Sequence, residues 1–188
     1  IFTGSFNEET IKPLLEKYIG SLPGNPKKEN FRDLGIRPPQ GKLEKIINKG
    51  SEPKSMVNLV FTTPAVFNSN EAYALRSLGE LMDIKLVEQL REEKSGVYGV
   101  SASGSMNRIP YGNVNFSISF PCAPENADTL TKAALDELKK IIQSGVSKED
   151  LEKIKEQQTR KLEVDIKQNS FWLSGLFDVY FYGSKPAD

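Results

Sequence analysis

Histidine is absent from all 188 residues, and that absence closes more chemistry than any motif opens. Hydrolytic zinc sites draw on imidazole, and nucleophilic triads need it as their base. A zinc or triad enzyme contained within this chain is therefore not expected. Cysteine is nearly absent too: Cys122 stands alone, so there is no internal disulfide and no second thiol for a metal. Set between prolines in "PCAP", it reads as a small buried thiol. An excess of charge is also lacking, since 25 basic residues balance 25 acidic ones. Nothing then attracts a polyanion, and nucleic acid is not an expected partner. No apolar run approaches the roughly 20 residues that span a bilayer, so membrane insertion is not expected. "ASGSM" at 102–106 has neither the P-loop lysine nor the glycine spacing of a dinucleotide fold.

The chain does contain an ordinary globular composition, 38% hydrophobic and 27% charged, in a length that suits one large domain. "IFTGSF" reads as the end of a strand. A helix is expected over 8–19 with Asn7 as N-cap and Ile11, Leu14, Leu15 and Tyr18 as its apolar stripe. A proline-rich connector follows over 24–41. "KLEKIIN" at 42–48 reads as a strand and "SMVNLVFTT" at 55–63 as another, closed by Pro64. A helix over 69–93 carries Leu75, Leu78, Met82, Leu86 and Leu90 on one face, with Gly96 as its C-cap. Strands over 97–106 and 113–121 precede a helix over 125–144, whose Leu130, Ala134, Leu138 and Ile141 point inward. Ser147 and Asp150 resemble a capping box opening the next helix. The apolar stretch "SFWLSGLFDVYFYG" completes the chain as a helix against the core or a partner. The order implies an α+β fold, a two-layer sandwich of largely antiparallel sheet with helices packed on one face. Residues 1–188 read as a single domain, clipped at both ends from something longer.

Two features point to a site. "NVNFSISFP" alternates strictly, with Val114, Phe116, Ile118 and Phe120 facing the core, and Asn115, Ser117 and Ser119 facing away. Ser101 and Ser103 do the same on the preceding strand. An exposed sheet face usually carries lysine or glutamate, so an uncharged serine and asparagine face fits a surface turned toward a substrate or chamber. The second feature is "LREEKSGVYGV" at 90–100, where two strong hydrogen-bond donors, Arg91 and Tyr98, stand seven residues apart around a turn. That stretch alone reads more simply as a solvated helix end followed by a strand tyrosine packed in the core.

Three segments carry a resemblance: "GSFNEETIKPLLEKYIGSLPG", "LREEKSGVYGVSAS" and "SGVSKEDLEKIKEQ". In order and spacing they are similar to the C-terminal half of the pitrilysin/insulinase family of zinc metallopeptidases, and the chain resembles bacterial zinc proteases of that family. The family's inverted zinc signature is missing, and the glycine between Arg91 and Tyr98 sits nearer the tyrosine than in many members. The resemblance implies two similar halves closing around an unfolded peptide. The N-terminal half, or a partner subunit, holds zinc and the glutamate base, while the C-terminal half binds no metal and supplies the arginine and tyrosine. Arg91 and Tyr98 then become expected donors to the substrate, within a zinc metalloendopeptidase of which this segment alone is inactive. Ser101, Ser103, Asn115, Ser117 and Ser119 become expected chamber-lining residues. The alternative implied by the same family is a scaffold subunit without activity. A bacterial periplasm is an expectation carried by the resemblance alone.

Overall fold

The computed structural model describes residues 1–24, 30–89 and 99–184. In chain order its main elements are α1 (Glu8–Leu15, continued by a wider turn over Glu16–Gly20), β1 (Ser55–Pro64), α2 (Ser69–Leu86), β2 (Ser101–Asn107), β3 (Asn113–Cys122), α3 (Ala127–Ser144), α4 (Lys148–Asp165) and α5 (Asn169–Tyr182). They fall into two compact units, one of residues 31–155 and one of residues 1–30 with 156–188.

The larger unit holds the sheet. β3 is its central strand, flanked by β1 and β2, and both pairings are antiparallel. The alternation of β3 sends Phe116, Ile118, Phe120 and Cys122 to one side, where they meet Met82 and Leu86 of α2 and Leu130, Ala133 and Ala134 of α3. Val114, expected in the same row, is only half-buried near the strand's start. Full burial of a large apolar side chain stabilises by roughly 1.5–3 kcal/mol, so this cluster anchors the unit. The sheet is thus α+β as expected, with helices on one face.

Helix α2 lies unusually close to β2. A Cβ built on Gly79 would stand 3.0 Å from both Gly104 N and Ser103 Cα, and one on Gly104 would run into the Leu75 carbonyl. Only hydrogen at both positions lets the two backbones touch. Asn68 opens the helix by accepting from the N–H groups of Asn70 (2.9 Å) and Glu71 (3.1 Å). Helix α3 ends at Gly145 in a positive-φ conformation (φ 74°) that favours glycine.

The capping residues expected for α4 are both in place, though the bonds are distributed differently. Ser147 Oγ accepts from Asp150 N at 3.1 Å and donates to Asp150 Oδ2 at 2.7 Å, while Lys85 Nζ stands 2.8 Å from Asp150 Oδ1. Lys85 first, and then the serine hydroxyl, hold the Asp150 carboxyl below its ordinary range against the opposing effect of burial. A depressed native pKa contributes stability that is complete above the unfolded value of about 3.9 and is lost as pH falls through the lower native one. Asp150→Asn should therefore lower Tm at neutral pH, with the gap from wild type closing in melts run toward pH 2. A gap of constant size down to that pH would refute the linkage.

In the smaller unit, Asn7 caps α1 as expected, its Oδ1 accepting from Thr10 N at 3.1 Å. The apolar stripe of that helix is less covered than its spacing implied, since Leu14 and Tyr18 are exposed. Helix α5 forms where the apolar stretch predicted it, but none of its residues is buried. Trp172 Nε1 donates to the Ile166 carbonyl at 2.8 Å, and Thr3 Oγ1 to the Asn169 carbonyl at 3.2 Å.

Two expected strands are absent. Residues 42–48 have no strand conformation, and Leu43, Ile46 and Ile47 are exposed. The first six residues are irregular as well, with Gly4 at φ 140°. Apolar, β-forming residues prepare a segment for a sheet, but a strand exists only where a neighbour completes its hydrogen bonds. Among the described residues β1 pairs with β3, and nothing pairs with either of these two segments. The connector expected over 24–41 thereby extends to β1. The expected helix end near Glu93, Leu90 on its stripe and the Gly96 C-cap lie outside the described residues.

Candidate functional site

The sheet face opposite the helices is built by register. Ser119 of β3 pairs with Asn58 of β1 and Ser101 of β2; Ser117 pairs with Val60 and Ser103; Asn115 pairs with Thr62 and Ser105. Directly opposed residues in antiparallel strands share a face. Ser101, Ser103, Asn115, Ser117 and Ser119 are therefore brought together in one lattice. Asn107 and Asn113 extend it at one end, and Met56 with Pro121 at the other. None of these side chains is charged, and those on β1 and β2 are exposed.

The lattice is held by its own hydroxyls and amides. Ser103 and Ser117 share a hydrogen bond of 3.0 Å between their Oγ atoms, Ser119 Oγ donates to Asn58 Oδ1 at 2.8 Å, and Asn107 Nδ2 donates to Asn113 Oδ1 at 2.8 Å. Hydroxyls both donate and accept, so such a surface can meet a peptide's N–H and C=O groups alike without preferring either charge. The expectation from sequence did not include Asn58 and Thr62 as part of this face. Their alternation against Leu59 and Phe61 set them on the far side of β1, but only the register placed them beside Ser119 and Asn115.

Arg91 and Tyr98 lie outside the described residues. Their neighbours on either side are described: α2 leads toward residue 90, and Gly99 and Val100 lead into β2. Across that junction Asp83 of α2 accepts a hydrogen bond through Oδ1 from the backbone N–H of Ala102. Burial pushes the Asp83 carboxyl up, the Ala102 N–H draws it back down, and the nearby Glu80 charge adds to the upward push. No feature of the sequence had singled out Asp83.

The donor set of this chain does not fit zinc. There is no imidazole, and the lone thiol of Cys122 is buried, with burial first and the Glu125 charge second pushing it away from the thiolate that binds metal. The described residues bring no group of three or more Cys, Asp or Glu side chains together for a metal.

Comparison with known proteins adds a family. Residues 1–158 match the family model described as the Peptidase M16 inactive domain. Among curated proteins the chain is similar to "Zinc protease PQQL-like" of Arabidopsis thaliana, 23% identical over 194 residues, covering 96% of this chain and 20% of that protein. It is also similar to "Probable zinc protease PqqL" of Haemophilus influenzae, 27% identical over 158 residues, covering 84% of this chain and 17% of that protein. The chain thus spans about a fifth of the length of the curated relatives it matches. Its fold resembles that of the periplasmic protease PqqL from Escherichia coli (TM-score 0.68, 20% identity, 98% of this chain, 20% of that one). A protease from Helicobacter pylori shares it as well (TM-score 0.74, 22% identity, 95% of this chain, 43% of that one).

Proposed function

We propose, from the premise that this chain belongs to the Peptidase M16 inactive-domain family, that it is the metal-free half of a zinc endopeptidase, closing on a zinc-bearing half and holding unfolded peptide between them. The observation that carries this reading is the uncharged lattice centred on Ser117, on a sheet whose opposite face is taken up by helices. A chamber wall of this kind binds peptide backbone while staying indifferent to side-chain charge. Zinc belongs to the other half, because this chain has no imidazole and only one, buried, thiol to offer it.

The chain's own contribution to the reaction is electrostatic. Tyr98 and Arg91 donate hydrogen bonds to the carbonyl of the scissile peptide and to the oxyanion that develops from it, without taking part in metal binding. The family resemblance of "LREEKSGVYGV" supports that role, as does the direct passage from this segment into β2, the strand that carries Ser101 and Ser103. The chain works as part of a longer protein, whose compartment we take to be the periplasm by analogy with the protease from Escherichia coli.

A charge placed on the lattice tests the chamber. In the complete protein, Ser117→Glu should leave kcat and Tm nearly unchanged while raising KM for acidic peptides and lowering it for basic ones. The expected size is about fivefold each way, from roughly 1 kcal/mol between unit charges about 4 Å apart in water. Equal KM values for the two peptide classes, before and after substitution, would remove the lattice from the substrate's path.

A further inference from the structure

Strand β1 has one bonded edge and one bare one. Its residues pair with β3, and among the described residues no strand takes the other side. The bare edge shows in the side chains: Val57 and Leu59, which face the helices, are only half-buried and Phe61 is 38% exposed, while Phe116, Ile118 and Phe120 beside them on β3 are buried. Sheets guard such edges with charge, proline or a covering segment. β1 carries no charge, and its one proline, Pro64, is its last residue.

A segment fitted to cover it lies just ahead in the chain. Residues 42–49 run without a turn or bend, the chain then bends through 50–53 with Gly50 at φ 100°, and β1 begins at Ser55. Lys42 Nζ stands 3.4 Å from Glu44 Oε2, and side chains two residues apart share a side when the backbone is extended. An extended stretch, a bend and a strand are the parts of a hairpin. Leu43 and Ile47, at 70% and 74% exposure, leave the segment with uncovered apolar surface of its own.

Alternation fixes how the two meet. With Ile47 opposite Val57, Lys45 opposite Leu59 and Leu43 opposite Phe61, the segment adds two apolar side chains to the helix-facing side of the sheet. Lys45, at the rim, covers Leu59 with its stem and keeps its ammonium in water. Lys42, Glu44, Ile46 and Asn48 then fall beside Thr62, Val60, Asn58 and Met56, and the first two give the uncharged lattice a charged margin. A slip of one residue would turn Glu44 and Lys42 toward the helices and Leu43 and Ile47 away, so the register is specified.

We infer that residues 42–48 are a strap that closes on the bare edge of β1 as an additional antiparallel strand in that register. Closure makes β1 an interior strand and denies its edge to other chains. The pairing does not depend on what the lattice holds. Hydrogen exchange and cysteine cross-linking on the complete protein test it. The β1 amides that point away from β3 should exchange about tenfold or more slowly than the same amides in Ile47→Asp, which puts a charge on the side to be covered. Amides bonded to β3 should stay equally protected in both. Under mild oxidation Ile46→Cys with Asn58→Cys should form a disulfide, because opposed residues of closed strands lie about 4.5–5.5 Å apart between Cα atoms, within reach of the bridge. Ile47→Cys with Asn58→Cys, on opposite sides of the sheet, should not. If Ile47→Asp does not fold, exchange in the wild type and the cross-link decide the matter. Unprotected outward amides in the wild type would overturn the inference, since the edge is then bare. So would protection that survives in folded Ile47→Asp, because something other than the strap then covers the edge. A bridge in the second cysteine pair and none in the first would overturn the register, and the charged margin with it.

Discussion

Tyr98→Phe in the complete protein is expected to lower kcat/KM by on the order of 10²–10³, with folding and zinc content unchanged. The substitution removes one hydroxyl and keeps the ring, so packing is preserved while a hydrogen-bond donor is lost. A donor aimed at developing charge in a closed, water-poor site is worth about 2.7–4 kcal/mol in the transition state, which is that range of rate. Arg91→Ala should cost at least as much, since a guanidinium also clamps the ground-state peptide and KM should rise with it. If both act on one bound peptide, as proposed, the double variant should lose less than the sum of the singles. If instead Tyr98 is a core ring and Arg91 a solvated helix end, Tyr98→Phe will hydrolyse peptide normally and Arg91→Ala will show only a lower Tm. Steady-state kinetics, metal analysis and thermal melts on the three variants distinguish these outcomes, and normal turnover by Tyr98→Phe ends the donor role.

Phe120→Ala should be the most destabilising single truncation in the sheet. Phe120 is fully buried on the central strand, against α2 and α3, and removing its ring leaves a cavity that rigid neighbours on both layers cannot fill. The expected cost is about 3–5 kcal/mol, with Ile118→Ala, equally buried, at about 2–5 kcal/mol. Phe116→Ala should fall at or below that range, because its ring also meets the partly exposed Phe61 at a centroid distance of 6.5 Å. Ser117→Ala and Asn115→Ala, on the other face of the same strand, should stay within about 0.5 kcal/mol. Denaturant melts rank the series directly, and a large loss at Ser117 beside a small one at Phe120 would mean the faces are assigned the wrong way round.

The alternation of "NVNFSISFP" is enough to separate the core side of β3 from its polar side, because a pleat has a period of two and one face is buried. The starts of α1 and α4 were legible for a similar reason: Asn7 and Ser147 act on groups within a few residues of themselves. Residues 42–48 differ from the strand expected there because β-forming residues are a necessary condition only. Leu43, Ile46 and Ile47 have the right composition and no partner among the described residues. Helix α5 shows the same limit from the other direction, since an apolar run predicts a helix but not what, if anything, covers it.

The sequence by itself determined which side of β3 is oily and that neither an imidazole nor a second thiol is on offer to a metal. Tertiary structure decided which polar residues became neighbours. Asn58, Ser119 and Ser101 are far apart in the chain and adjacent in the sheet, and Asp83 reaches Ala102 only because two glycines, Gly79 and Gly104, let helix and strand touch. Composition and short-range periodicity are written residue by residue. Register and close approach are set by contacts between distant segments, where the free energy depends on the whole packed arrangement.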